Sequence, residues 1–390
     1  MNDLTITFII NPISGNGQKE AILSYISNLE KQCLAARTKT SDEDRDCRTR
    51  TTWDVIKVCT TQYAGHAAVI AAEEAARGTT VVVAVGGDGT VNEVARSLVH
   101  TSTALGIIPC GSGNGLARHL RIPMDIEGAF RLLDERHITS IDYGTLNDTP
   151  FFCTCGVGFD AFISQKFAEA GKRGLATYVE KTLVDGIHYR PQTYSVEIDG
   201  ETSTIDAFLI ACANASQYGN NAYIAPDAST RDGLLDVTIL TPFNTIEAPQ
   251  IIMQMFNRTL ARNPHVKTFR TSHLRISRNA DGPAHIDGDP VTMGETLDVS
   301  VHASSLRIVG NGHPGHRPIS FPAMRAIESG IGTIHHDIQR SIGDFQRSLG
   351  DIQRGIDDAQ RNFQHEIYRL FFKNFNDRRH HQNNTKEDKS

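Results

Sequence analysis

Short apolar runs alternate with longer amphipathic stretches over the first third of the chain. Four of these runs have the length and β-branched content of buried strands: Leu4–Ile10, Trp53–Cys59, Val81–Val85 and Ala104–Ile108. Helical patterns follow them, beginning near Lys19, Gly65, Val91 and Leu116. Alternating strands and helices predict an α/β domain with a parallel, doubly wound sheet. Ligands of such sheets bind at the carboxyl ends of the strands.

From about Ile138 the pattern changes to short β-type runs separated by Gly, Asp and Pro. The predicted strands are Phe151–Val157, Tyr194–Ile198, Ile205–Ala213, Leu234–Leu240, His273–Ser277 and Thr296–Ile308. One helical stretch is expected near Ala176–Ile187. This region therefore predicts an all-β sandwich domain.

The tail from about Ala323 carries a seven-residue repeat. Its apolar positions alternate by four and three, at Ile338, Ile342, Phe345, Leu349, Ile352, Ile356, Ala359 and Phe363. Glycines within the repeat cost about 1 kcal/mol each relative to alanine, so the helix needs a partner surface. That partner is a second copy, the body of the protein or a membrane, which leaves self-association through residues 327–371 open. Aromatic residues beside basic ones near Phe371 favour membrane contact and continuation of the seam equally.

The predicted domains are an α/β catalytic domain at 1–137, a β-rich domain at 138–312 and a helical tail at 313–390. The end of the second domain is expected to return to the first. A net charge of −6 gives no electrostatic reason to expect nucleic acid as a partner. Seven scattered cysteines, no signal-peptide pattern and no apolar run of about 18 residues predict a cytoplasmic protein.

Three loops after predicted strands are rich in Gly, Ser and Asn, and would line one cleft. The central loop is Gly86-Gly87-Asp88-Gly89-Thr90, and Asn11–Gly15 and Gly111–Asn114 lie on either side. Glycines let the backbone approach closely, and N–H groups at a helix start suit a phosphate. Asp88 adds a carboxylate where a phosphate-bound Mg²⁺ would sit. None of the loops has the lysine of a Walker A motif or the Rossmann glycine spacing.

Each of these motifs also has a plain structural interpretation. Gly-Gly-Asp-Gly is common in strand-to-helix turns, and Asp287-Gly288-Asp289-Pro290 reads as a β-turn when taken alone. Asp232-Gly233 has the same ambiguity as a hairpin turn. The upstream loops favour the functional interpretation, because backbone donors, Mg²⁺ and one carboxylate base are sufficient for chemistry on a phosphate.

The ordered set of motifs resembles the lipid kinase family of diacylglycerol, sphingosine and ceramide kinases. The resemblance covers about Leu4 to Val309. Its matching pieces are Asn11-Pro12-x-Ser14-Gly15, Thr61, Gly86–Thr90 with Asn92-Glu93, Pro109–Asn114, Asp232–Asp236 and Asp287-Gly288-Asp289. The glycine-rich motif alone is shared with NAD kinases.

The resemblance implies a role for each matched residue. The residues implied to bind ATP are Asn11, Pro12, Ser14, Gly15, Thr61, Gly86, Gly87, Gly89, Thr90, Asn92, Glu93, Gly111, Ser112 and Asn114. Asp88 is implied to act near the phosphates and Mg²⁺. Asp232, with Leu234 and Ser229, resembles the family's structural metal site. Asp287 and Asp289 resemble its Asp-Gly-Glu, with Asp289 one methylene shorter than the glutamate; we favour Asp287 as general base and Asp289 as orienter.

The leading hypothesis is an ATP- and Mg²⁺-dependent lipid kinase that phosphorylates a lipid hydroxyl at a membrane surface. The Gly-Ser-Gly-Asn loop at Gly111 resembles that of sphingoid-base kinases more than that of bacterial diacylglycerol kinases, which favours a sphingoid base as substrate over diacylglycerol. An NAD kinase would explain Gly86–Thr90 but not Asp287–Asp289. A non-catalytic lipid- or nucleotide-sensing scaffold that assembles through the tail is the third hypothesis.

Overall fold

The computed structural model describes residues 4–15, 19–38, 53–170, 189–244 and 247–311. The predicted heptad helix and the predicted helical stretch at Ala176–Ile187 lie outside these residues. Within them, no helix combines the length and apolar content needed to cross a bilayer.

The elements are numbered here in chain order. The strands are β1 (Thr5–Ile10), β2 (Val55–Thr60), β3 (Val81–Gly86), β4 (Ala104–Pro109), β5 (Ile138–Leu146), β6 (Thr149–Phe151), β7 (Thr154–Gly158), β8 (Gln192–Ile198), β9 (Glu201–Ala207), β10 (Leu209–Ala213), β11 (Leu235–Leu240), β12 (Val266–Thr271), β13 (His273–Ser277), β14 (Gly282–Ile286), β15 (Asp289–Met293) and β16 (Thr296–Val309). The helices are α1 (Lys19–Thr38), α2 (His66–Ala76), α3 (Asp88–Leu98), α4 (Gly115–His119), α5 (Ile126–Glu135), α6 (Phe159–Ala170) and α7 (Ala248–Phe256), with a 3₁₀ turn at Leu260–Arg262.

The four predicted strands of the first third form a parallel sheet in the order β2-β1-β3-β4, as expected. The β3 residues Val81–Gly86 are all buried, since both faces of this sheet are covered. Its parallel strands end at one edge, which places the loops after β1, β3 and β4 side by side.

The expectation of a purely parallel sheet is wrong. Strand β16 joins the same sheet, parallel to β4 at Ile308 and Leu105 but antiparallel to β5 and β13. Strands β8, β9 and β6 extend it further, so ten strands of the described residues form one mixed sheet. The sheet is mixed because β16 is long enough to join both regions. Its 14 residues pair with β13 near Leu297 and with β4 near the C-terminal end of β16.

The second region forms a sandwich that shares this mixed sheet. Its other sheet has the order β12-β11-β10-β7-β14-β15. Alternate residues of both sheets meet in a buried apolar core that includes Val157, Ile210, Leu274 and Leu297. The outer face of the second sheet carries a separate apolar cluster under α6 and α7. The expectation of an all-β second domain was therefore incomplete, because helices cover one sheet.

Helix α2 is fixed to the parallel sheet by a buried carboxylate, Glu74. It accepts hydrogen bonds from Thr7 Oγ1 at 2.7 Å and Thr79 Oγ1 at 2.9 Å, and forms ion pairs with Lys57 and Arg77. Burial alone raises the pKa of Glu74, but these four partners together lower it from 4.5 to about 2.

Because the Glu74 pKa is lowered on folding, its contribution to stability is present above pH 4.5 and is lost as the pH falls toward 2. We expect Glu74→Gln to lower the free energy of unfolding by about 2 kcal/mol at pH 7, with the exposed ends of Lys57 and Arg77 limiting the effect. Urea unfolding between pH 3 and pH 7 measures this. The exposed neighbour Glu73→Gln serves as control and is expected to change stability by less than about 0.5 kcal/mol. An equal Glu74→Gln deficit at pH 3 and pH 7 would contradict the assignment.

Candidate active site

Two of the glycine loops touch backbone to backbone. A Cβ on Gly111 would lie 2.6 Å from the Cα of Gly87, and one on Gly86 would lie 2.6 Å from the Cβ of Thr90. No side chain fits at these positions without moving the backbone or Thr90. The loops after β3 and β4 therefore pack directly against each other, at the edge of the sheet where the sequence predicts a phosphate site.

Asp88 joins these two loops. It begins α3, and its carboxylate accepts N–H bonds from Asn114 at 2.8 Å and Gly115 at 2.7 Å. A Cβ on Gly113 would lie 2.7 Å from Asp88 Oδ2, so that glycine makes room for the carboxylate. Each oxygen takes one N–H bond here and keeps acceptor capacity for another partner.

The loop after β1 is tied to the same centre. Asn11 Nδ2 donates to Thr90 Oγ1 at 3.0 Å, and Ser14 Oγ donates to the Asn11 carbonyl at 3.0 Å. Gly15 has a φ of 79°, a left-handed conformation that favours glycine. Asn11 and Ser14 line a pocket together with Lys19, Cys110, Ile10, Ile22 and Val85.

The remaining predicted nucleotide residues divide into cleft and support positions. Ser112 and Gly89 are exposed, whereas Thr61 and Asn92 are buried. Asn114 has a φ of 51°, and its side chain exchanges two hydrogen bonds with the backbone of Gly111, at 2.9 and 2.7 Å.

The structure gives Glu93 a role different from the predicted nucleotide contact. Its carboxylate accepts the N–H groups of Gly65 at 2.9 Å and Ala67 at 3.2 Å. It therefore caps the N-terminus of α2, where a negative charge is favourable.

Asp287 anchors the turn between β14 and β15. Its buried carboxylate accepts three backbone N–H bonds, from Phe152 at 2.9 Å, Cys153 at 2.7 Å and Thr154 at 3.0 Å. Burial raises its pKa to about 6 and outweighs the three N–H bonds, which favour the ionised form. Three of the about four lone-pair positions of the Asp287 carboxylate are therefore occupied. This suits a residue that anchors the turn better than the general base that we favoured from the sequence.

Asp287 and Gly288 both have positive φ, 51° and 86°, as in a two-residue type I′ hairpin turn. The β-turn interpretation of the Asp-Gly-Asp motif is therefore confirmed, and the functional interpretation stays a prediction. Asp289 follows as the first residue of β15 and is exposed.

Cys153 connects the two halves of the site. Its N–H donates to Asp287 Oδ1 at 2.7 Å, and its Sγ lies 3.4 Å from the position of a Cβ on Gly115. Gly115 in turn donates to Asp88. Burial, followed by the charges of Asp287 and Asp88, raises the pKa of the Cys153 thiol well above 9. The predicted catalytic carboxylates, 199 residues apart in the sequence, therefore flank one buried side chain.

The residues implied for a structural metal do not fit one. Asp232 Oδ2 lies 3.8 Å from Arg270 Nη1, and Arg270 also donates to Asp236 at 3.0 Å. Ser229 Oγ accepts the Arg231 N–H at 3.3 Å, and the Leu234 N–H donates to Asp232 Oδ1 at 3.2 Å. Across the described residues, no three His, Cys, Asp or Glu side chains converge as metal ligands. The positive charge beside Asp232 comes from a guanidinium.

Sequence reasoning missed several polar residues around the turn. Arg278 closes the base of the β14–β15 hairpin by donating to four backbone carbonyls, those of Gly282, Pro283, Met293 and Gly294. Burial lowers the pKa of its guanidinium. Asp160 and His285 form a buried pair behind the turn. A histidine between Ala284 and Ile286, in an otherwise apolar strand, was the available signal.

Two family descriptions cover most of the described chain. Residues 5–146 match the diacylglycerol kinase catalytic domain, and residues 153–310 match the YegS C-terminal NAD kinase beta sandwich-like domain. The two matched regions meet between residues 146 and 153.

Relatives with similar sequences carry lipid kinase names. A probable lipid kinase YegS-like from Pectobacterium atrosepticum is 31% identical over 57% of this chain and 76% of its own length. Another from Chromohalobacter salexigens is 26% identical over 72% of this chain and 89% of its own length. An uncharacterized protein of Synechocystis sp. is 30% identical over 66% of this chain, which spans only 58% of that protein.

Solved structures show the same fold. A putative diacylglycerol kinase from Bacillus anthracis superposes with a TM-score of 0.66 at 20% identity, covering 80% of this chain and 96% of its own. At this identity the likeness concerns the fold alone.

The contacts of the two turn aspartates predict effects of different size on stability. Asp287→Asn places an NH₂ group against backbone N–H donors, so we expect the free energy of unfolding to fall by about 2–3 kcal/mol. Asp289→Asn changes an exposed side chain and is expected to cost less than about 0.5 kcal/mol. Urea unfolding at pH 8, where Asp287 is ionised, makes the comparison. Equal losses for both variants would show that Asp287 is not an anchor.

Proposed function

Since the chain belongs to the YegS-like lipid kinase family, we propose that it transfers the γ-phosphoryl group of ATP to the hydroxyl of a lipid alcohol. The observation that carries this proposal is the junction at Cys153, where the Asp287 turn meets the Asp88 loops. A nucleotide bound on the glycine loops would direct its phosphates toward the carboxylates of the turn. Phosphoryl transfer needs little more than such positioning and charge neutralisation.

The nucleotide is bound by the loops after β1, β3 and β4. Their backbone N–H groups and the side chains of Asn11 and Ser112 supply donors for phosphate oxygens, and Ser14 and Lys19 line the same pocket, where Lys19 adds a positive charge. The residues present fit a nucleotide-borne Mg²⁺, because Asp88 keeps acceptor capacity and Mg²⁺ usually takes one or two protein carboxylates plus phosphates. When bound, the ion would neutralise charge on those phosphates.

Asp289 is the general base in this proposal. Asp287 is held by three N–H bonds, whereas Asp289, two residues further along the chain, is exposed at the start of β15. Asp289 accepts the proton of the lipid hydroxyl while the hydroxyl oxygen attacks the γ-phosphorus of ATP. The bond between the γ-phosphorus and the bridging oxygen of the β-phosphate breaks, and ADP leaves. The exposed carboxylate then releases the proton to solvent.

The acceptor is a lipid with a free hydroxyl. The Gly-Ser-Gly-Asn loop at Gly111 favours a sphingoid base as that lipid. Half-buried aromatic side chains support an apolar substrate: Phe162 and Phe243 join the cluster of Phe159 and Phe208 on the outer face of the second sheet. We further propose that the protein acts from the cytoplasmic side as a peripheral protein at the membrane surface, with the tail as a candidate contact.

Labelled ATP and a panel of diacylglycerol, sphingoid base, ceramide and NAD tests the proposal. We expect at least one lipid to be phosphorylated and NAD to be left unchanged. Asp289→Asn is expected to lower kcat by about 10³-fold, with the KM for ATP unchanged, because a general base contributes about 10²–10⁴-fold.

The products of this assay distinguish a lipid kinase, an NAD kinase and a non-catalytic scaffold. Phosphorylation of NAD without any lipid would replace the lipid kinase by an NAD kinase. ATP binding with no turnover on any acceptor would favour a sensing scaffold. Full activity of Asp289→Asn would exclude that residue as base.

A further inference from the structure

Behind the Asp287 turn lies a buried polar pair that the phosphoryl transfer chemistry does not use. His285 is 1% exposed and Asp160 is 6% exposed, and their Nε2 and Oδ2 atoms are 3.1 Å apart. Asp160 belongs to the first turn of α6 and His285 to β14. Burying two such groups is costly unless their hydrogen bonds are satisfied, so the pair calls for a structural or functional reason.

The surrounding backbone is shaped to admit this pair. A Cβ on Gly156 would lie 2.6 Å from Asp160 Oδ2 and 3.0 Å from His285 Nε2. It would also lie 2.7 Å from the carbonyl oxygen of Ile210. The neighbouring strand β7 can therefore carry only glycine where it passes the pair.

The hydrogen bonds assign the imidazole tautomer. The N–H of Gly288 points to His285 Nδ1 at 3.4 Å, so Nδ1 accepts and Nε2 carries the proton that is donated to Asp160. Asp160 is itself held by the Ala161 N–H at 2.8 Å and the Tyr218 hydroxyl at 3.1 Å. The carboxylate is fixed from three directions, and the ring has one orientation.

His285 accepts a hydrogen bond from Gly288, the residue that precedes the proposed base. Gly288 is the second residue of the hairpin turn. Its amide N–H belongs to the peptide group that links it to Asp287, and Asp289 is the next residue of the chain. The Asp287 carboxylate fixes the first residue of the turn, and the imidazole fixes the peptide group that follows.

Tyr218 extends the network toward the nucleotide loops. It lies in the same segment as Gly219 and Asn220, and the Asn220 N–H donates to the Gly113 carbonyl at 3.2 Å. A Cβ on Gly219 would lie 3.2 Å from the Gly113 Cα. One contiguous set of contacts thus runs from a phosphate-binding loop to the turn.

We infer that His285 and Asp160 are positioning residues for phosphoryl transfer: Asp160 fixes the imidazole, and His285 holds the Gly288 amide and so aims Asp289 at the acceptor hydroxyl. The inference rests on the proposed kinase function. It concerns a step that involves the base alone, so the nucleotide site is unaffected.

Two variants at one position test it. His285→Leu removes both hydrogen bonds, whereas His285→Gln keeps a donor toward Asp160 and an acceptor toward Gly288. We expect His285→Leu to lower kcat by about 10- to 100-fold with the KM for ATP within twofold, since a small misplacement of a reacting group costs this much. His285→Gln is expected to recover activity to within about fivefold of the wild type. The exposed histidine variant His273→Gln is the control and is expected to match the wild type.

Hydrogen exchange supplies a readout that does not depend on activity. Exchange at the Gly288 amide is expected to quicken in His285→Leu but not in His285→Gln. Asp160→Asn sets an NH₂ group against at least one of the three donors that now face the carboxylate, so the ring is held less firmly, and the variant is expected to quicken exchange as well and to lower kcat in the same direction as His285→Leu. Asparagine has nearly the same shape as aspartate, so Asp160→Asn still tests the positioning role if His285→Leu does not fold.

The results distinguish the two proposals. A wild-type protein that phosphorylates no lipid overturns the kinase function, and the exchange data then still decide whether His285 holds the turn. Unchanged exchange at Gly288 in both His285→Leu and Asp160→Asn overturns the positioning role. Activity of His285→Gln as low as that of His285→Leu, or an equal rise of the KM for ATP, also overturns it.

Discussion

The site depends on one interaction, the Asp287 carboxylate that accepts the backbone N–H groups of Phe152, Cys153 and Thr154. This contact ties a hairpin turn to the point where the chain passes from the mixed sheet into β7. Without it, three buried N–H donors would lose their acceptor, at about 1–3 kcal/mol each. The Asp88 carboxylate does the same for the loops after β3 and β4. In both cases, a carboxylate organises peptide groups around a cleft.

The shared sheet explains why these two anchors keep a fixed relation. Strand β16 pairs with β4 of the nucleotide-binding half and with β13 of the sandwich. A sheet that crosses between the halves resists hinge bending far more than a linker does, because opening would break ladder hydrogen bonds. The cleft is therefore preorganised, which suits a reaction that relies on positioning.

Much of this arrangement was predictable from local sequence. The four parallel strands, their glycine loops and the Asp-Gly-Asp turn all have short-range signals: β-branched runs, glycine clusters and turn dipeptides. The division of roles between Asp287 and Asp289 was not, because it depends on N–H donors 133–135 residues away. The return of the last strand to the first domain was expected, but its pairing with β4, β5 and β13 was not, since strand patterns do not reveal which neighbours a strand selects. Glu93 looked like part of the nucleotide motif because its partner, the N-terminus of α2, has no signature of its own.

The substitution of aspartate for the family's glutamate gives the surrounding contacts a physical purpose. Asp289 has one methylene less than glutamate, so it reaches less far and can correct less for an error in backbone position. A shorter carboxylate side chain depends more on its backbone for its position, and the turn that carries Asp289 is held accordingly. Asp287 fixes it from the β7 side, Arg278 closes the hairpin behind it, and His285 lies against the Gly288 amide. The shorter side chain also has less rotamer entropy to lose on ordering, which suits the role of base that we propose for it.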